Sequence, residues 1–261
     1  MTSDPLDVVT RGDRREGRCL AGSGLRIFGG HTLAHATCEA GAVARPDRRI
    51  ASLHAMFIGP GDSRRPVGYF ASSLKSGRSL DIIEVRAAQD DRTILTATLG
   101  LHIAEPGKDY QVPAPRPTPP EQCEPAGNPG PPRSTAVRQP FDIRVAVLGD
   151  DHDTTMSTWV RLRRRLPDAA GAVRHAAWLA YAVDFLITRP ALERPLHRAM
   201  HTTEASLDHA MWFRRPARVD RWLLVRADVA SAAGSRSLCR AEVLSRSGTL
   251  MATAVRESYI R

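Results

Sequence analysis

One segment of this chain is present twice. Ala51-Ser52-Leu53-His54-Ala55-Met56-Phe57 returns about 154 residues later as Ala205-Ser206-Leu207-Asp208-His209-Ala210-Met211-Trp212-Phe213. Each copy runs on through a Pro and an Asp (Pro60 and Asp62; Pro216 and Asp220), reaches an Arg-Ser-Leu triplet (Arg78 to Leu80; Arg236 to Leu238) and enters a strand-like segment. A repeat at this spacing in 261 residues implies two domains of like fold, each long enough to bury its own core. Between the copies, residues 106–140 are crowded with Pro, which removes ladder donors and favours extended backbone. The expected organisation is a first domain over 15–108, a Pro-rich linker over 109–137 running between domains outside either core, and a second domain over 138–261.

The local pattern repeats in the same order. Gly29 and Gly30 precede a helical run over 31–44 with Leu33, Ala36, Ala40 and Val43 at helical spacing. Strands follow over 52–58, 67–74, 80–88 and 93–103, the last two as a hairpin around Asp90 and Asp91. The second copy has a helix over 172–188 with Trp178, Tyr181, Ala182 and Phe185 on one stripe, then strands over 206–214, 222–230, 237–244 and 249–259, with a hairpin turn at Ser247-Gly248. A helix followed by an antiparallel meander, twice, reads as α+β.

Charge and composition narrow the function. The formal charge of +9 is carried almost wholly by Arg, since Lys75 and Lys108 are the only lysines. The densest basic run, Arg161 to Arg165, alternates with Val160 and Leu162 as a half-solvated strand would, and no nucleic-acid motif accompanies it, so no nucleic-acid partner is expected. A polyanionic small molecule fits the field better. Residues 1–18 lack the apolar core of a signal peptide, and the longest apolar stretch, 176–187, is too short to span a bilayer; a cytoplasmic protein with no membrane partner is expected. Cys19, Cys38, Cys123 and Cys239 have no metal-ligand spacing and are read as reduced and structural. No metal and no cofactor are expected, and His152, between Asp151 and Asp153, reads as a solvated turn residue.

Asp184 is the residue that asks for a role. It lies among Ala180, Tyr181, Phe185 and Leu186, where an unpaired carboxylate is costly to bury, so it is either hydrogen-bonded or catalytic. At the other helix, Gly29 and Gly30 leave backbone amides open at a helix start, where an oxygen can be held.

Together, Arg26 to Gly30, Ser52-Leu53-His54, Pro60-Gly61-Asp62, Gly77-Arg78-Ser79, Tyr181 to Asp184, Ser206 to Phe213 and Glu257 to Arg261 resemble type II acyl-CoA thioesterases with a double hotdog fold. The resemblance covers both domains and leaves only the linker unmatched. It implies two tandem hotdog domains, each a central helix wrapped by an antiparallel sheet, the sheets joined side by side. The implied substrate is an acyl-CoA or acyl-carrier thioester, the implied activity its hydrolysis to acid and thiol in lipid metabolism or a biosynthetic pathway, and a homo-oligomer is compatible with it. The family's Asp falls on Asp184 and its hydroxyl on Ser206, while the position of its Gln holds Arg256.

The departures keep several readings open. Arg256 beside Asp184 would pair with it and weaken it as a base, or it would stabilise an oxyanion or a substrate carboxylate, or it would face outward. Ser206 either bonds the water or the thioester oxygen, or serves the strand as Ser52 does. His31 stands where the family usually has Gln; across from Asp184 it would complete the His and Asp pair of hotdog lyases, isomerases or cyclases, and otherwise it is a buried structural His. A catalytically weakened acyl-thioester binding protein is the third functional reading. His35 reads as helix surface or core edge, and His209, Trp212 and Arg214 as core and sheet-junction packing with His209 hydrogen-bonded. Asp208, inserted relative to the first copy, is the expected site of a bulge that re-aims Ser206.

Overall fold

The structure, a computed structural model, describes residues 4–12, 14–114, 117–126, 135–146, 154–167, 171–193 and 204–260. The turn holding Asp151, His152 and Asp153 lies outside the described residues, as do Pro115, Pro131 and Pro132 of the linker.

The first half runs β1 (Val9–Arg11), β2 (Arg14–Gly17), a small hairpin β3 (Ala21–Ser23) and β4 (Arg26–Ile27), helix α1 (Gly29–Val43), then β5 (Arg49–Phe57), β6 (Val67–Ser76), β7 (Leu80–Gln89) and β8 (Arg92–His102). A short α2 (Thr135–Arg138) leads into β9 (Phe141–Ala146), β10 (Thr155–Leu162), α3 (Gly171–Leu186), α4 (Arg189–Glu193), β11 (Glu204–Ser206), β12 (Asp208–Phe213), β13 (Leu223–Ala233), β14 (Arg236–Ser245) and β15 (Leu250–Ile260). Every main strand pairing is antiparallel, and the order is β1-β2-β6-β7-β8-β5-β12-β15-β14-β13-β10-β9. Outward from the β5 and β12 junction the two halves repeat the same sequence of strands. Both long helices lie against the inner face of this shared sheet, which is the arrangement that the resemblance implies.

The burial pattern explains why each element sits where it does. β14 alternates buried and exposed positions along most of its length, as a strand with one wet face must. α3 is buried almost all round from Ala177 to Leu186, so it is a core helix rather than a surface one. α1 is equally enclosed from Gly30 to Thr37, and its small residues let a helix and a sheet close on it from all sides. Val43, expected on the buried stripe, is instead 45% exposed at the end of α1, beyond the reach of the sheet.

Several contacts join the halves. β5 pairs with β12 from Asp208↔Met56 to Trp212↔Ser52, so the repeated segment is itself the seam. α1 packs antiparallel on α3: a Cβ on Gly30 would lie 2.8 Å from the backbone oxygen of Tyr181, and one on Gly41 would lie 2.5 Å from Val173. The linker docks on the second half, and so departs from the expectation of a segment outside the cores. Thr118 accepts a hydrogen bond from Trp159 Nε1 at 2.8 Å, and Cys123 packs with Trp159, Leu224 and Leu244 in a second apolar cluster. Trp159 and Val160 are therefore both buried, and β10 is covered on both faces rather than half solvated. Burial of that apolar face outweighs the extended preference of the prolines, because the segment can dock while remaining extended.

The Gly30 contact yields a stability test. Gly30→Ala meets rigid backbone, whereas Gly41→Ala meets only the Val173 side chain, which can turn aside. Denaturant unfolding is expected to show a loss of about 1–3 kcal/mol for Gly30→Ala and a smaller loss for Gly41→Ala; equal effects would mean that the helices are free to separate.

Candidate active site

Where α1 begins, its first N–H groups have no acceptor within the helix. Phe28, the N-cap residue, supplies no side-chain hydrogen bond to them, so the positive end of the helix is left for another oxygen. Gly29 lines a cavity of about 260 Å³ together with Thr32, Phe57, Asp184, Ser206 and Arg256. A side chain at Gly29 would strike the Phe57 ring at 2.9 Å and approach Asp184 Oδ2 at 3.4 Å. Glycine is required here because aromatic ring, carboxylate and helix start converge on one point.

Asp184 comes from the last turn of α3, Ser206 from β11 and Arg256 from the neighbouring β15. Arg256 is 3% exposed. Its Nη1 donates to the backbone oxygen of Asp184 at 2.5 Å, and its Nη2 donates to Ser206 Oγ at 2.5 Å. The same guanidinium lies 3.4 Å from Asp184 Oδ1 and 3.1 Å from Glu204 Oε1. Ser206 Oγ is thus an acceptor from Arg256, and its own proton is directed to a different partner. A buried cation between two carboxylates is electrically compensated, which a single buried Arg and Asp pair with poor geometry would not be.

A bulge sets this geometry. Ser206 pairs with Ser258, but Ala210 pairs with Val255, so the register slips by one residue between β11 and β12. In the gap Leu207 turns its carbonyl to the N–H of Phe57 on β5, and Asp208 Oδ1 accepts from the N–H of Glu257 at 2.8 Å. The inserted Asp208 replaces the missing ladder acceptor. Upstream of the bulge Ala205 and Ser206 line the cavity, as does Glu204.

Of the residues expected at the site, Asp184, Ser206, Arg256 and Gly29 share one cavity. Gly30 does not line it and serves the helix contact instead. His31 is turned away from Asp184: its Nδ1 accepts from the N–H of Leu20 at 3.0 Å, so Nε2 carries the proton and donates to the carbonyl of Pro5 at 2.7 Å. A His and Asp proton-transfer pair across the two helices is therefore not formed. His35 is fully buried rather than at a surface or edge, its Nε2 donating to the same Pro5 carbonyl at 3.1 Å and its Nδ1 accepting from the Tyr69 hydroxyl at 2.9 Å. Burial holds His31 down to about 4 and His35 down to about 3, the latter helped by the neighbouring His31.

Two residues that line the cavity, Thr32 and Glu204, had no sequence signal, and a third, His209, was read only as packing. Thr32 is one turn into α1 and faces the cavity. Glu204 sits just before the repeated segment and has no counterpart reading in the first copy. His209, expected in hydrogen-bonded core packing, has Nδ1 3.4 Å from Asp184 Oδ1, and neither ring nitrogen meets an acceptor or donor in good geometry among the described residues. A buried imidazole thus lies directly against the buried Asp184 carboxylate.

Among the described residues no group of three or more His, Cys, Asp or Glu side chains is arranged to hold a metal ion. Among the same residues no helix is long and apolar enough to cross a membrane.

Comparison with known proteins identifies the family and the fold. The family model described as acyl-CoA thioesterase N-terminal domain matches residues 20–102, and that described as acyl-CoA thioesterase C-terminal domain matches residues 120–260. The chain is 30% identical to acyl-CoA thioesterase 2 of Haemophilus influenzae, over 98% of this chain and 93% of the relative. It superposes on the tesB protein of Mycobacterium avium subs paratuberculosis with a TM-score of 0.85 and 28% identity, covering 98% of this chain and 97% of that one. A hot dog fold protein from Alicyclobacillus acidocaldarius, 22% identical, superposes with a TM-score of 0.80 over 99% of this chain and 97% of its own, a likeness of fold.

The buried histidines carry a pH prediction. Both are neutral in the folded chain with values below the ordinary 6.5, so the unfolded chain takes up protons first on acidification. Their contribution is whole above about pH 6.5 and is lost as the pH falls toward 4 and 3, at about 1.4 kcal/mol per pH unit for each. His31→Gln keeps an acceptor for Leu20 and a donor for Pro5 but cannot titrate. Its stability is expected to fall less steeply between pH 6.5 and 4 than that of the wild type; parallel slopes in denaturant unfolding would remove His31 from the acid response.

Proposed function

We propose, from the premise that the chain belongs to the acyl-CoA thioesterase family and hydrolyses acyl thioesters to free acid and thiol, that Asp184 orients and deprotonates the attacking water. The observation that carries this reading is the convergence of Asp184, Ser206, Arg256 and the Gly29 end of α1 on one cavity. The thioester oxygen faces the N-terminus of α1, whose amides and dipole favour negative charge as it develops. Water held by Asp184 adds to the carbonyl carbon and gives its proton to the carboxylate. The tetrahedral centre then collapses, the carbon–sulfur bond breaks, and the thiolate leaves to take up a proton.

Ser206 and Arg256 act as a unit in this scheme. With its lone pair engaged by Arg256, Ser206 offers its hydroxyl proton to the water or the oxyanion. Arg256, where the family has Gln, adds a fixed cation near the developing charge, and Glu204 holds that cation so that Asp184 does not neutralise it alone. Arg26 and Arg138 line the same cavity and suit the phosphates of a coenzyme A substrate. Lyase, isomerase or cyclase chemistry through His31 finds no support, because both ring nitrogens of His31 are engaged away from the cavity. We also assign 15–108 and 138–261 as the two hotdog units and 109–137 as the segment joining them.

Thiol release across an acyl-CoA panel, with mass spectrometry of the freed acid, tests the assignment. Asp184→Asn is expected to lower kcat by about 10²–10⁴-fold, the range for loss of a positioned base, with folding nearly unchanged; Ser206→Ala is expected to cost less. Normal turnover in Asp184→Asn would take that residue out of the mechanism.

Arg256→Gln separates the two roles open to the cation. If Arg256 stabilises the oxyanion, kcat falls by about 10–1000-fold, and this is the expected result. A rise in kcat would show instead that Arg256 restrains Asp184.

A further inference from the structure

The duplication copies more than the fold. A second cavity, of about 660 Å³, lies at the place related to the first by the internal repeat. Where the first is lined by Phe57, Pro60, Ala205 and the start of α1, the second is lined by Phe213, Pro216, Ala51 and the start of α3. The strand that carries Arg256 at the first, β15, has its counterpart in β8, whose last residue His102 lines the second.

The two cavities differ in their carboxylates. The first has Asp184 from α3 and Glu204 from β11, beside Arg26, Arg138 and Arg256. When the helix starts Gly29 and Gly171 are aligned, α1 has Ala42 where α3 has Asp184, and no residue of α1 lines the second cavity. Its wall instead carries Arg49, His102, Lys108, Arg214 and Arg215. The two acids there are engaged: Glu105 lies 3.5 Å from His102, and Asp109 pairs with Arg215. Arg49, Lys108 and Arg214 come from β5, the segment after β8 and the turn after β12, so three separate segments bring their charge to one cavity, of a size usual for ligand sites.

We propose that this second cavity is a non-hydrolytic site for the phosphate-bearing nucleotide end of coenzyme A. Three cations suit its three phosphate groups, and guanidinium forks match phosphate oxygens in pairs. Among the described residues no carboxylate stands beside the helix start to activate water, so the cavity binds without hydrolysing. Product coenzyme A, or a second substrate molecule, would occupy it while the first cavity turns over. The inference rests on the first cavity being the acyl-CoA site.

Calorimetric titration of the full chain with coenzyme A tests it. Two equivalents are expected, both weakened by added salt, and one of them held by the cations of the second cavity. The Arg49→Ala, Arg214→Ala double variant, which alters only exposed side chains outside the first cavity, is expected to bind that equivalent about 10-fold more weakly for each guanidinium–phosphate hydrogen bond removed, with kcat for thiol release unchanged. Adenosine 3′,5′-bisphosphate, which lacks the pantetheine arm, is expected to compete at this site, and pantetheine alone is not. One equivalent in the wild type, a second equivalent that persists in the double variant, or competition by pantetheine alone would each overturn the inference. Thiol release reports separately on the first cavity: a chain that hydrolyses but binds one equivalent refutes only this inference, and one that binds two but releases no thiol refutes only the functional reading.

Discussion

The close antiparallel contact between α1 and α3 is what the rest of the molecule depends on. It is set by the absence of side chains at Gly30 and Gly41, which lie on one face of α1, three turns apart, against Tyr181 and Val173. Packed this way, the start of one helix meets the end of the other. The positive end of α1 and the carboxylate of Asp184 then share a single cavity. Any side chain at Gly30 would drive the helices apart, and helix dipole and carboxylate would no longer face the same bond.

A second constraint comes from burying charge in that cavity. Arg256 is nearly as enclosed as the leucines of the core, and an isolated guanidinium at such depth would be prohibitive. It is tolerated because it donates to Ser206 and to the Asp184 carbonyl and faces Glu204 as well as Asp184. The site thus departs from the Gln that the family resemblance implies without losing electrical balance. His209, pressed against Asp184 with unsatisfied nitrogens, belongs to the same cluster and links it to the sheet seam.

Duplication explains both the strength of the fold and the asymmetry of its cavities. The seam between β5 and β12 joins two copies of the same segment, which is why one continuous sheet forms rather than two loosely tethered ones. A shared topology does not require shared chemistry. Both copies slip by one residue, at Ala51 in β5 and at the inserted Asp208 in the second copy, but α1 lacks a counterpart of Asp184. The linker then adds its own surface, docking through Thr118, Cys123 and Gln111.

The sequence by itself determined the duplicated topology, the two central helices, the bulge at Asp208 and the positions of Asp184, Ser206 and Arg256. These are legible because repeat spacing, periodicity, glycine placement and family motifs are properties of short segments. Only the tertiary structure decided that His31 turns from Asp184 to Pro5 and Leu20, that Glu204 shares Arg256, that His209 touches Asp184, and that the linker covers β10. Each of these depends on contacts between residues far apart in the chain, where the direction of a side chain is set by what packs beside it. Periodicity assigns a residue to a face, but only the assembled core determines which polar groups meet there.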